Sequence, residues 1–80
     1  MFYVYVLRSI DFPDQIYIGF TINPKERLAT HNRGSSSHTA KYKPWALISY
    51  HCFKHERTAI AFEKYLKSHS GRAFTVKRLL

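Results

Sequence analysis

The stretch "YIGFTINPKERLATH", residues 17–31, decides the fold. It begins as a buried strand, crosses an Asn-Pro pair into a capped helix start, and continues as a helix with almost nothing apolar on it. Asn23 is placed as the N-cap, Pro24 as the first helical residue and Glu26 as the partner that completes a capping box. Gly34 is placed as the left-handed residue that closes the helix. Between them only Leu28 and Ala29 are apolar, whereas Arg27 and His31, four apart, share one face. A small chain does not spend a well-specified helix on so little core without another use for it.

Working outward, residues 2–8, "FYVYVLR", alternate Phe2, Val4 and Val6 against Tyr3, Tyr5 and Leu7, and residues 16–20, "IYIGF", alternate Ile16, Ile18 and Phe20 against Tyr17 and Gly19. The link between them holds Asp11, Pro13 and Asp14, turn-forming residues that predict an antiparallel hairpin. With the aliphatic set toward the core, Tyr5 and Tyr17 share the opposite face. Gly19 leaves that face bare, which marks either close approach by a backbone or ligand, or a bulge. Residues 33–43, "RGSSSHTAKYK", read as a flexible polar loop. A third strand is expected from Trp45 to Phe53, then a core helix over residues 55–69 with Ala59, Phe62 and Leu66 as its apolar stripe. After "SHSG", residues 72–80 read as a short C-terminal helix. The expected class is α+β: a small three-stranded antiparallel sheet flanked by helices, in the order β-β-α-β-α plus the terminal helix, as one domain over residues 1–80.

Eighty residues bury only a modest core. Thirteen Lys and Arg against five Asp and Glu give a formal net charge of +8, spread from Arg8 to Arg78. A field of that kind favours a polyanion, nucleic acid or an acidic surface, as partner. The single cysteine, Cys52, excludes an internal disulfide, and no C-x-x-C pair offers a metal knuckle. With no secretory leader and no apolar run long enough to span a bilayer, the expected location is cytoplasmic, away from membranes. A zinc module of His51, Cys52 and His55 with His38 or His31 matches no common zinc spacing, and His51 and Cys52 point to opposite faces of a strand.

Glu63, at the border of the apolar stripe, costs free energy there unless paired, for example with Lys67 one turn on, or bound to a cation. With Tyr5, Tyr17, Arg27 and His31 it makes a phenol pair, a fixed cation, an imidazole and a carboxylate in one basic chain. The run "YVY" at Tyr3–Tyr5, followed by "YIG" at Tyr17–Gly19, resembles the signature of the GIY-YIG nuclease superfamily. Arg27, His31 and Glu63 fall where that superfamily has its catalytic arginine, its His or Tyr, and its metal-binding glutamate. The closing "EKYLKSHSGRAFTVKRL" is similar to the small stand-alone bacterial subgroup likened to the N-terminal nuclease domain of the excision-repair incision subunit. Two departures stand out: Tyr3-Val4-Tyr5 replaces Gly-Ile-Tyr, and Phe20 stands where the repair nuclease has lysine.

The resemblance implies an endonuclease hydrolysing DNA phosphodiester bonds by in-line water attack, with one divalent ion, Mg²⁺ or Mn²⁺, on Glu63. It implies that Arg27 stabilises the charge that builds at phosphorus, with Tyr17 as the preferred general base, Tyr5 hydrogen-bonded beside it to orient the water or share the proton, and His31 holding or relieving the tyrosine. Lys25, Arg33, Lys41 and Lys43 form the expected phosphate-tracking rim, with Tyr42 and Trp45 available to stack on bases. DNA, branched or flapped forms included, is the expected partner. RNA stays open, as do monomer and weak dimer. The alternative is a module of the same fold that binds nucleic acid with little or no turnover.

Overall fold

In the computed structural model, which describes residues 1–80, the chain runs β1 (Phe2–Ser9), β2 (Ile16–Thr21), α1 (Pro24–Asn32), α2 (Ser37–Ala40), β3 (Trp45–Phe53), α3 (Glu56–Lys67) and α4 (His69–Phe74), ending in a π-helical turn over Thr75–Leu79. The sheet is antiparallel throughout, in the order β2-β1-β3. This is the α+β, three-stranded architecture that the alternating patterns predict.

β1 is the middle strand, paired along both edges, and other elements cover both of its faces. Val4 and Val6 join Ile18, Ala59 and Leu66 in a core under α3 and α4, with Phe2, Phe20, Phe62 and Phe74 around it. Tyr5 and Leu7, on the other face, pack with Trp45 in a second core that takes in Tyr17 and Leu28. The tyrosine face of the hairpin is therefore itself a packing layer. The pairing of β1 with β3 shifts register between Val6 and Leu7, whereas β1 and β2 pair without interruption.

That uninterrupted pairing explains Gly19. It stands opposite Tyr5, and a Cβ built on it would overlap Tyr5 Oη and Cζ and lie 2.8 Å from Cε1. The close approach is by the tyrosine of the neighbouring strand; there is no bulge here and no second backbone.

Helix α1 is docked by polar groups. Asn23 Oδ1 accepts from Glu26 N–H at 3.2 Å, as an N-cap should. The reciprocal half of the capping box is missing: Asn23 N–H donates to Thr21 Oγ1 at 3.1 Å, and Glu26 meets the Asn23 side chain instead. At the other end Gly34 adopts φ +77°, the left-handed conformation expected of it, and donates to His31 O. Asn32 clamps the start of β3, donating from Nδ2 to Trp45 O at 3.1 Å and accepting from Trp45 N–H at 2.6 Å. Leu28 is half-buried, and the one fully buried side chain of the helix is His31.

Two expectations are corrected. The polar stretch over residues 33–43 is not all loop: it holds α2, whose Thr39 is buried and whose Thr39 O accepts from Trp45 Nε1 at 2.9 Å. That bond fixes Trp45 inside the second core, so it is not available for stacking on a base. The C-terminal helix begins earlier than its sequence suggests. Ser68 ends α3 and caps α4, accepting from Gly71 N–H at 3.1 Å, so Gly71 lies inside a helix rather than before one. A side chain there would overlap the backbone of Tyr65 and Leu66, and glycine is the residue that lets the two helices meet at this elbow.

Candidate active site

The pleat of the hairpin sets the first two groups. Tyr17 lies opposite Leu7, and Tyr5 opposite Gly19, so the two tyrosines are diagonal neighbours on one face with ring centroids 6.1 Å apart. Helix α1 crosses above them and lowers His31 between the rings, 5.9 Å from the Tyr5 centroid and 4.8 Å from that of Tyr17. Tyr5 Oη and His31 Nε2 are 3.0 Å apart, and His31 Nδ1 is 2.6 Å from Thr39 Oγ1. Tyr5, His31 and Thr39 are each at most 1% exposed. They form a buried chain of hydrogen bonds from β1 through α1 to α2, and no buried side-chain nitrogen or oxygen in the protein lacks a partner. Thr39 has one hydroxyl proton. Directed at Ser36 O, 3.4 Å away, it leaves Thr39 Oγ1 to accept from His31 Nδ1–H and His31 Nε2 to accept from Tyr5 O–H.

Burial pushes the Tyr5 hydroxyl above the usual tyrosine value. The Arg27 guanidinium beside it pulls the other way, and the neighbouring Tyr17 and Glu63 add to the rise. His31 is held below the usual histidine value, first by burial and then by Arg27, so it is neutral at pH 7 and free to accept. Arg27 on α1 and Glu63 on α3 are thus among the groups whose charge reaches the Tyr5 hydroxyl. Three elements, β1, β2 and α1, bring Tyr5, Tyr17 and His31 into contact. Tyr17 is half-buried and opens onto a groove, whereas Tyr5 is enclosed.

Glu63 is paired with Lys67, Oε2 to Nζ at 3.1 Å, with 21% of its side chain exposed. It offers a hard oxygen donor, but no group of three or more His, Cys, Asp or Glu side chains converges anywhere in the chain. His51, of the zinc arrangement considered above, packs against Phe62 at 5.0 Å, and Cys52 is exposed on the other side of β3. The expected rim residues Lys25, Arg33, Lys41 and Lys43 are all exposed. Arg33 donates to Thr30 Oγ1 at 3.3 Å, and Lys41 Nζ lies 5.7 Å over the Tyr42 ring.

Thr39 is the member that sequence reasoning passed over. It sits in a run of small polar residues with no periodicity, and its burial is imposed by Trp45 and His31, which lie on other elements.

The chain is similar to small proteins of the UPF0213 group. It is 35% identical over 72 residues to one from Streptococcus pyogenes serotype M3, covering 89% of this chain and 76% of the relative. It is 35% identical over 74 residues to one from Pediococcus acidilactici, covering 89% and 74%. A structure-specific endonuclease subunit SLX1 homolog of Drosophila mojavensis is 44% identical over 52 residues, a match to 59% of this chain and 17% of that longer protein. No helix here is long and apolar enough to cross a membrane. The sequence model of the GIY-YIG catalytic domain matches residues 1–77, and the chain belongs to the GIY-YIG nuclease family.

Proposed function

We propose that this protein is a divalent-metal-dependent endonuclease that hydrolyses DNA phosphodiester bonds, acting as one domain over residues 1–80. The observation that supports the reading is the packing of two phenols around one buried imidazole, with the Arg27 guanidinium beside Tyr5 and the Glu63 carboxylate adding to the field at its hydroxyl. Nucleases of the family generally use a divalent metal. Glu63 fits such an ion as a single hard oxygen ligand: it is reachable from solvent, and with no group of three or more ligating side chains the remaining positions fall to water and substrate oxygens, as Mg²⁺ or Mn²⁺ allows. Lys67 would leave the carboxylate to admit it. When bound, the ion supplies positive charge against the non-bridging and departing oxygens.

The chain's own groups do the rest. Arg27 offers a planar, permanently charged fork to the phosphoryl oxygens as charge builds on them. Tyr17, open to the groove, is the group placed to take the proton from the attacking water. Tyr5, enclosed and raised by burial, is the poorer base; its part is to hold its own proton toward neutral His31 and fix the geometry beside Tyr17. Thr39 fixes the orientation of the His31 ring. Lys25, Arg33, Lys41 and Lys43 would add salt-sensitive phosphate contacts.

The test is cleavage of labelled single-stranded, duplex, flapped and branched DNA with Mg²⁺ or Mn²⁺. Wild type is expected to cut only with metal, and Glu63→Gln and Arg27→Ala to lose at least about a hundredfold while staying folded. Equal cutting by all three proteins would overturn the assignment. One specific observation favours a second reading, a binding module without turnover: the carboxylate is already taken by Lys67, and Phe20 supplies no cation after the "YIG" run. DNA binding that survives Glu63→Gln, with no cutting by wild type, would select it.

A further inference from the structure

Beside Tyr17 lies a groove of about 520 Å³, walled by β2 on one side and by α4 with the π-helical turn on the other. Its lining is two-natured. Ile16, Ile18 and Val76 give it an apolar floor, while Lys67, Arg72 and His38 stand around it as donors. The His38 ring lies 6.4 Å from that of Tyr17, at the end nearest the candidate site. Asp14 is the one carboxylate on the lining, and it belongs to the turn of the hairpin. Lys67 is engaged by Glu63, but Arg72 is exposed and has no carboxylate partner. A guanidinium without a counter-ion above an apolar trough suits a ligand that is anionic along one edge and flat or greasy along the other. None of the basic residues expected on sequence grounds lies here.

Resting on the reading of the site as a nuclease, we propose that this groove holds one nucleotide of the strand being cut, next to the scissile phosphate. Arg72 takes its phosphate, and its sugar and base lie on Ile16, Ile18 and Val76. A phosphate presented to Tyr17 has this groove beside it, and the groove carries a cation, Arg72, that has no carboxylate partner. The strand is then gripped by the C-terminal helices as well as by the rim around α1 and α2.

The test reads binding, so that it does not depend on turnover. A fluorescein-labelled DNA oligonucleotide is titrated with the Glu63→Gln protein at a series of salt concentrations, with an RNA oligonucleotide of the same sequence as a second arm. Adding Arg72→Ala is expected to weaken DNA binding about five- to tenfold at low salt and to reduce the slope of log Kd against log salt by about one. Arg72→Lys is expected to keep the slope. Arg57→Ala, the same charge change outside the groove, is expected to move neither by as much. Affinity and slope unchanged by Arg72→Ala, or changed equally by Arg57→Ala, would overturn the groove, as would a loss confined to the RNA arm. Wild type that cuts while Arg72→Ala binds normally would sink the groove and leave the nuclease standing. Wild type that never cuts, while Arg72→Ala loses binding, would do the reverse.

Discussion

Replacing Gly19 by alanine tests whether this glycine is there for Tyr5. Its backbone does not need glycine, since Gly34 alone has a positive φ. On backbone grounds alone Gly19→Ala in a strand would be neutral or stabilising, by roughly 0.4–1 kcal/mol through the unfolded chain. The new Cβ, however, overlaps Tyr5 Oη and Cζ. Overpacking of this kind costs about 1–3 kcal/mol. If the ring gives way, the 3.0 Å bond to His31 goes with it and leaves a buried imidazole nitrogen unmatched, about 1–3 kcal/mol more. A net loss of roughly 2–4 kcal/mol is expected, a large part of the roughly 4–12 kcal/mol available to a chain of this size. In the Tyr5→Leu background Oη, Cζ and Cε1 are all gone, and Gly19→Ala should cost nothing or stabilise. In the Tyr5→Phe background the hydroxyl is gone but Cζ remains, so much of the cost should persist. Urea unfolding of the cycle measures this, with a coupling of at least about 2 kcal/mol expected between Gly19→Ala and Tyr5→Leu. Equal costs of Gly19→Ala in wild type and in Tyr5→Leu would refute the reasoning.

Thr39→Val keeps the shape of the side chain but leaves His31 Nδ1 without its 2.6 Å partner, so stability should fall by about 1–3 kcal/mol and recover in Thr39→Ser. Nitrogen NMR of the His31 ring should show Nδ1 protonated in wild type and a changed tautomer population in Thr39→Val; an unchanged ring signature would show that Thr39 does not set the tautomer. Acidification should also destabilise the fold. Burial holds both His31 and His51 below the usual histidine value, so between pH 7.5 and the folded values the unfolded chain binds more protons. Their contribution is complete above about pH 6.5 and declines as pH falls below it. Urea midpoints that stay flat from pH 7.5 to 5.5 would contradict this, and His51→Phe should flatten part of the slope.

The residues that were legible in the sequence are those whose signal is local. Strand alternation, the Asn-Pro helix start, the left-handed Gly34 and the i to i+4 pair of Glu63 with Lys67 depend on neighbours a few positions away, and the chain keeps them. Gly19 was visible as an oddity but not as a reason, because its reason is Tyr5, which reaches it only across the β1–β2 pairing. Gly71 misled for the same cause: glycine usually breaks a helix, and here it is held inside one by the nearness of Tyr65 and Leu66. Arg72 looks like any other basic residue in the sequence, and only the fold sets it across a groove from the apolar side chains of β2.

The sparse apolar content of α1 is explained by the same distinction. With no apolar stripe to bury, the helix is held for the sake of Arg27 and His31. The structure shows what holds such a helix in place: a cap at Asn23, a clamp from Asn32 to β3, and His31 bonded on both ring nitrogens inside the core. Hydrogen bonds are directional where apolar contacts are not, so a helix docked in this way is fixed in rotation as well as in depth. Loss of Asn32 or Thr39 would therefore let α1 turn before it let go, and a small rotation is enough to carry Arg27 away from Tyr5 while the sheet and its apolar core remain intact. The sparse apolar content of α1 is in this sense part of how the site is positioned, because it leaves aim to groups that can specify it.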